Sequence, residues 1–209
     1  VYLRLRGFNN QTTKQVTINL IQGLQKAEQM LGRKARGVII DLRGNPGGVF
    51  KQAVMVSNLF LVNGRIISTR GRHPESHNDY NANGTDITDG LSLIVLINGR
   101  SASASEIVAA ALQDHDRAIV IGSTSYGKGT VQTIRKLPNH GELTLTWSRF
   151  QTPSGYFLNK LGVPPSVCAS GRLYVTATEY IKAALSQASQ YSKTLREWRT
   201  VPTKEKSER

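Results

Sequence analysis

The chain has 209 residues, and 27 Lys and Arg against 14 Asp and Glu give a formal net charge of +13 with histidine neutral. This length suits one ordinary domain that buries a core without covalent staples, and 39% hydrophobic against 20% charged residues excludes global disorder. The apolar runs are too short to cross a bilayer as a helix, and a single cysteine, Cys168, excludes an intrachain disulfide framework or a thiolate zinc cluster.

The positive charge is scattered. Arg4 and Arg6, Arg33, Lys34 and Arg36, Arg70 and Arg72, and a group from Lys193 to Arg209 are interleaved with no aromatic platform, and no helix-turn-helix or zinc-finger spacing occurs. A basic soluble surface is expected, not a nucleic-acid interface. The chain opens inside an apparent strand, without an initiator Met or a charged and then apolar leader, and reads as a fragment.

In chain order, residues 1–8 alternate as a strand does. Thr12 and Thr13 offer an N-cap, and Val16, Leu20, Ile21, Leu24, Ala27 and Leu31 recur at helical spacing until Gly32. GVIIDLR (37–43) is a continuous apolar run expected to be buried on both faces. The loop Gly44-Asn45-Pro46-Gly47-Gly48 then leads to a second helix over about 50–61. Strand, helix, strand, helix indicates α/β architecture. A strand is expected at 66–69, and a polar surface loop at 70–90. LSLIVLI (91–97) is the strongest buried-strand signal, and it runs through Asn98-Gly99-Arg100 into SASASEIVAAAL, whose alanines favour helix. A strand follows at 117–122. Residues 131–137 and 142–150 flank Pro138-Asn139-His140-Gly141 as a hairpin. A helix is expected at 178–189, and from residue 192 onward six basic and three acidic residues in eighteen suggest a frayed tail. The expected organisation is a core over 1–191 and a flexible basic tail over 192–209.

GSTSYGKG (122–129) fits the first seven positions of a phosphate-binding loop. That loop needs Ser or Thr where Gly129 stands and a helix next, whereas the β-branched Thr130, Val131, Thr133 and Ile134 favour a strand. Lys128 is left unexplained by a plain glycine turn. Among the histidines, His73 and His77 are separated by Pro74, His140 sits at a turn, and His115 reads as a solvated helix end beside Asp114 and Asp116. No Gly-x-Ser-x-Gly elbow is present, so a Ser/His/Asp triad is poorly supported.

The remaining serine chemistry uses lysine as base. A free lysine with its pKa near 10.4 is only about 0.04% neutral at pH 7, and lowering that to about 8 leaves roughly 10% able to accept a proton. Burial without a carboxylate partner supplies such a shift, and residues 122–132 contain no acid. A serine opening a helix after a buried strand is well placed as nucleophile, because backbone N–H groups there face a developing oxyanion.

DLRGNPGG (41–48), SASASEIVAAALQD (101–114), RAIVIG (117–122) and YGKGTVQ (126–132) together resemble the carboxyl-terminal processing proteases, or tail-specific proteases, in order and spacing. The resemblance implies a crotonase-like (ClpP/crotonase-type) α/β core, a sheet flanked by helices, that carries a Ser/Lys dyad without metal or cofactor. Matched by position, Ser103 is the nucleophile, Lys128 the general base, Gln132 the residue that orients it, and the Gly48 and Ala104 N–H groups the oxyanion hole. Gly47-Gly48 is then expected to admit the substrate carbonyl closely. Glu106 and Asp114 read as structural.

By the same resemblance, the substrates are proteins with accessible C-terminal segments, held extended along a sheet edge. The compartment is the bacterial periplasm or another exported space. Family members commonly carry a PDZ domain before this core, and none is present in these 209 residues. QTPSGYFLNKLGVPPSV (151–167) keeps Thr-Pro-Ser-Gly and Gly-x-x-Pro but departs from the family pattern at Tyr156-Phe157-Leu158 and Pro165-Ser166. Two alternatives remain at this level: a catalytically impaired core that captures C-terminal peptides, and an acyl-thioester enzyme on the same fold.

Overall fold

The computed structural model describes residues 1–169, and its centre is set by the two continuous apolar runs. They form β2 (Gly37–Asp41) and β5 (Ser92–Ile97), which lie side by side and parallel, with Ile40 opposite Val95. Val38, Ile40, Leu93, Val95 and Ile97 are all buried, which explains why these strands show no polar alternation. β1 (Tyr2–Arg4) adds to β2, while β6 (Ile119–Gly122) and then β9 (Val167–Cys168) add to β5. The result is a five-stranded parallel sheet in the order β1-β2-β5-β6-β9.

A second sheet is antiparallel, in the order β4-β3-β8-β7, from β3 (Arg65–Arg70), β4 (Asn78–Asn81), β7 (Thr130–Lys136) and β8 (Glu142–Gln151). The polar stretch expected as a loop at 70–90 thus contains a strand. Asn78 to Asn81 carries no apolar signal of its own, and β4 forms by pairing with the buried β3. The predicted hairpin is β7 and β8. Much of β8 is exposed, including Leu143, Leu145 and Trp147, whose alternate spacing puts them on one face of an arm.

Among the described residues, three α-helices complete the mixed α/β architecture that the sequence indicated: α1 (Thr12–Leu31), α2 (Phe50–Asn58) and α3 (Ala104–Asp114). Every residue of α3 from Ala104 to Gln113 is buried, because alanines let it pack closely against α2, β3 and β6. α1 differs from its apolar pattern. Thr12, Val16 and Leu20 are buried and Leu24 packs half-buried against the core, but Ile21 and Leu31 are exposed, so the last two turns cover little of it. Nor does a threonine side chain cap it. Gln11 occupies the N-cap, and the Gln52 side-chain oxygen on α2 accepts from the Thr13 N–H at 2.8 Å, satisfying an orphan helix donor from outside. Gly32 ends the helix with φ 62°.

Aromatic rings join α2 to the antiparallel sheet. Phe50 stacks on Phe150 of β8 at 5.5 Å and meets Tyr80 of β4 edge-on at 4.8 Å. β1 is shorter than the alternation over 1–8 suggested, although the chain continues alongside through a bridge between Phe8 and Gly48. The helix expected at 178–189, the tail from 192 and the core boundary at 191 lie outside the described residues. Among the described residues, no helix is long and apolar enough to cross a membrane. Phe150→Ala removes both a buried ring and its stacking partner, so it is expected to lower stability by about 3–5 kcal/mol, read as a reduced urea midpoint.

Candidate active site

Two loops at the carboxyl ends of adjacent parallel strands make the site, the position where open α/β sheets place their ligands. Residues 43–48 follow β2 and residues 98–103 follow β5. Asn45 is fully buried between them. Its carbonyl oxygen accepts from the Ala102 N–H at 2.9 Å and the Ser105 hydroxyl at 3.0 Å, its side-chain oxygen accepts from Gly47 N–H, and its amide donates to Leu5 O. The Ser101 hydroxyl donates to Leu42 O at 2.8 Å, and Asn98 Oδ1 accepts from Gly44 N–H. The loops are sewn together by polar groups, most of them buried or half-buried, with the Gly44–Asn98 bond at the exposed rim.

Ser103 is the N-cap of α3 and is half-buried. Its φ of 56° and ψ of −113° lie where non-glycine residues are rarely found, so the backbone is strained at this serine. Its N–H donates to Glu106 Oε2 at 2.7 Å. Glu106 is buried with no exposed surface, and it spans two segments. The same Oε2 accepts from Lys128 N–H at 2.8 Å, while Oε1 accepts from Gly127 N–H at 2.6 Å and the Ser125 hydroxyl at 2.5 Å. One carboxylate therefore ties the backbone of Ser103 to that of Lys128, and four donors offset the cost of burying its charge.

The glycine pair meets a different constraint from the one expected. A Cβ on Gly47, at φ 98°, would lie 2.8 Å from Ser103 Cβ and 2.9 Å from Ala104 N. One on Gly48, at φ 139°, would collide with the Phe8 backbone. Glycine is thus required here so that the two loops and the strand beside them can close up. The outcome is an open pair of donors: the N–H groups of Gly48 and Ala104 bond to no acceptor among the described residues.

Lys128 lies on a loop gripped by residues 158–163. Lys160 N–H donates to Gly127 O at 2.8 Å, Val163 N–H to the Ser125 hydroxyl at 2.7 Å, and Ser125 N–H to Val163 O at 3.1 Å. A Cβ on Gly129 would strike the backbone of Leu158 and Asn159. The divergent segment at 156–158 is a packing element: Leu158 is fully buried, and the Tyr156 hydroxyl is pushed up to about 12 by burial and by the charge of Glu106. The Lys128 side chain itself is exposed, contrary to the expected burial, and its ammonium forms no ion pair among the described residues. Gln132 is also exposed, on β7 beside a break in register between Val131 and Gln132. No hydrogen bond joins the Ser103 hydroxyl to Lys128, or Lys128 to Gln132, among the described residues. Ser103, Ala104, Gly48 and the backbone of Lys128 are thus brought together, whereas Gln132 is not linked to them.

Residues 1–168 match the model of peptidase family S41. The chain belongs to that family. It is 46% identical over 168 residues to a carboxy-terminal-processing protease of Bartonella bacilliformis, covering 79% of this chain and 38% of that protein. It is 35% identical over 164 residues to a carboxyl-terminal-processing protease of Synechocystis, covering 78% and 36%. Among solved structures, the photosystem II D1 C-terminal processing protease superposes with a TM-score of 0.70 at 30% identity, over 90% of this chain and 46% of that one. The chain spans less than two fifths of the length of these two curated relatives.

The S41 core also contains a charge cluster that sequence reasoning did not single out. Asp41 is buried at the end of β2, and its carboxylate accepts from the Arg43 guanidinium at 2.8 and 2.9 Å, the Arg43 N–H at 3.0 Å and the Tyr2 hydroxyl at 2.6 Å. Burial alone would raise its pKa. The hydrogen bonds from Arg43 and Tyr2 outweigh burial and hold it at about 2. The DLR order was the available signal, since Asp and Arg two apart across a strand end are within reach of one another. Asp114 accepts from Ser154 N–H, which fits a structural part. His115 is not a solvated helix end: its Nε2 lies 2.8 Å from Arg65 O and its ring packs on Gly64. His73 and His77 bond to the Glu75 N–H and Gly71 O, and no metal-ligand cluster occurs among the described residues.

Glu106→Gln keeps the shape but turns an N–H₂ group toward one pair of donors, so it is expected to cost about 3 kcal/mol in chemical unfolding. Asp41 has a lower pKa folded than unfolded, so its stabilising contribution is complete above the ordinary value of 3.8 and disappears as pH falls through about 2. Melting temperatures of the parent and Asp41→Asn are expected to differ most at neutral pH and to converge in this acid window.

Proposed function

We propose that this chain is the hydrolytic core of a serine endopeptidase that cuts proteins near their C-terminal tails through a Ser/Lys dyad. The observation that carries the reading is Glu106, whose carboxylate draws the backbones of Ser103 and Lys128 onto one oxygen atom while the Gly48 and Ala104 N–H groups stay open. Names of the relatives support the substrate class: several are carboxyl-terminal-processing proteases.

In this mechanism, neutral Lys128 removes the Ser103 proton as the serine oxygen attacks the peptide carbonyl. The Gly48 and Ala104 N–H groups receive the developing oxyanion. Protonated Lys128 donates to the leaving amine, and water then attacks the acyl-enzyme with the same lysine as base. The strained backbone at Ser103 holds the nucleophile at the mouth of the helix, where these donors converge. Gln132 orients the lysine once substrate covers the loop. Partners are protein or peptide substrates with accessible C-terminal segments. The relatives are bacterial and chloroplast processing proteases, in keeping with an exported or periplasmic setting.

A second reading is a core that captures C-terminal peptides and turns them over poorly; the exposed, unlinked side chains of Lys128 and Gln132 favour it. Cleavage of an unfolded protein with an apolar C-terminus, with products identified by mass spectrometry, separates the two. Ser103→Ala and Lys128→Arg are each expected to lower kcat by on the order of 10⁴-fold, the latter because arginine keeps the charge but cannot serve as a base. Gln132→Ala is expected to cause a smaller loss. Turnover that survives Ser103→Ala overturns the mechanism, and binding without turnover in the parent chain favours capture.

A further inference from the structure

The groove beside β1 is not used by the chemistry above, yet it shares Gly47 with the site. Among the described residues, β1 is the outermost strand of the parallel sheet. Along it, Ile39 N–H donates to Val1 O and Leu5 N–H donates to Asp41 O, so alternate residues Val1, Leu3 and Leu5 address their peptide groups to β2. Those of Arg4 and Arg6 therefore point outward and, unpaired among the described residues, form a template for another strand. A groove of about 520 Å³ is lined by Arg4 and Arg6 and by Gln15 and Asn19, four apart on α1. Its lining also includes Gly47, the residue packed against Ser103.

The charge in this groove is of one sign. No Asp or Glu lines it, and Arg4 and Arg6 are exposed with no ion pair among the described residues. The carboxylate in register with Arg4 is Asp41, and it is already occupied by Arg43 and Tyr2. The side-chain amides of Gln15 and Asn19 are likewise exposed and make no hydrogen bond among the described residues.

We propose that this groove selects substrate segments carrying two acidic side chains in alternate positions, held as an added strand on β1 with their carboxylates facing Arg4 and Arg6. The spacing argues for side chains over a chain terminus. Arg4 ends β1 and Arg6 follows two residues on, where Leu5 N–H still donates to Asp41 O, and an added strand presents its own i and i+2 side chains at a like interval, opposite them. A lone terminal carboxylate meets only one of the two. The peptide main chain supplies affinity through the outward groups of Arg4 and Arg6, and the charges supply selectivity. This inference rests on the protease reading, since continuity with Gly47 is what makes the groove a substrate channel.

The test measures binding to the Ser103→Ala chain, so it does not depend on turnover. Fluorescent peptides of equal length carry Glu-x-Glu, Gln-x-Gln or Lys-x-Lys, each with a free and an amidated C-terminus. Two exposed pairs are expected to favour Glu-x-Glu over Gln-x-Gln by about 10-fold at low salt, with the ratio shrinking as salt is added. In an Arg4→Gln/Arg6→Gln background the ratio is expected to fall to near one, and Arg4→Glu/Arg6→Glu is expected to reverse it in favour of Lys-x-Lys. Circular dichroism confirms that both variants fold. An equal affinity of the Ser103→Ala chain for all three peptides, or a preference unchanged in the Arg variants, overturns the proposal. So does a preference that follows the free C-terminus and ignores the internal residues. Acid-selective binding by a parent chain that cleaves nothing leaves this groove assigned and removes the protease reading instead.

Discussion

A single buried carboxylate governs how the loops around Ser103 and Lys128 are put together. Glu106 has four donors, two on each oxygen, and they come from the helix opening at Ser103 and from the 125–128 loop. An ionised group without exposed surface is stable only when its lone pairs are filled, so the local energy minimum is the arrangement in which those two segments are in register. The charge is therefore a device for alignment. It also leaves the Lys128 ammonium alone, because it spends its oxygens on N–H and hydroxyl groups rather than on the lysine side chain.

Around that point, each neighbour is fixed by a different kind of force. Asn45 joins the two strand-end loops with neutral hydrogen bonds in a dry setting, where such bonds count for more than at the surface. Gly47 and Gly48 admit backbone where any side chain would intrude. The 158–163 segment holds the lysine loop from outside, with Leu158 as its apolar anchor. The result is a set of buried backbone contacts about Ser103, beside which the side chains of Lys128 and Gln132 stay exposed.

Much of this was legible in the residues, and what was missed has a common cause. The central strands β2 and β5 declared themselves because burial on both faces removes polar alternation, and α3 did so because its alanines leave little other choice. The four motifs marked the family. β4 was invisible because a strand formed by pairing alone needs no apolar pattern, and the exposed end of α1 was overread because an apolar stripe says nothing about whether a partner covers it. The burial expected of Lys128 followed from an absence of nearby acids, yet exposure depends on what the fold stacks over a loop. Glu106 was assigned a structural part, but its span could not be seen: three of its four donors lie 19 to 22 residues away in sequence and meet it only through the fold.

The clamp by residues 158–163 bears on how the molecule comes into being. Ser103 and Glu106 are made early, but the loop that Glu106 grips is braced by Lys160 and Val163, near the far end of the described chain. Contacts of such long sequence separation are entropically costly and form late. During synthesis from the N-terminus, the emerging chain carries Ser103 for some sixty residues without the brace that fixes the 125–128 loop against it. The order of the chain thus withholds the closed arrangement of these loops until the core around them is complete.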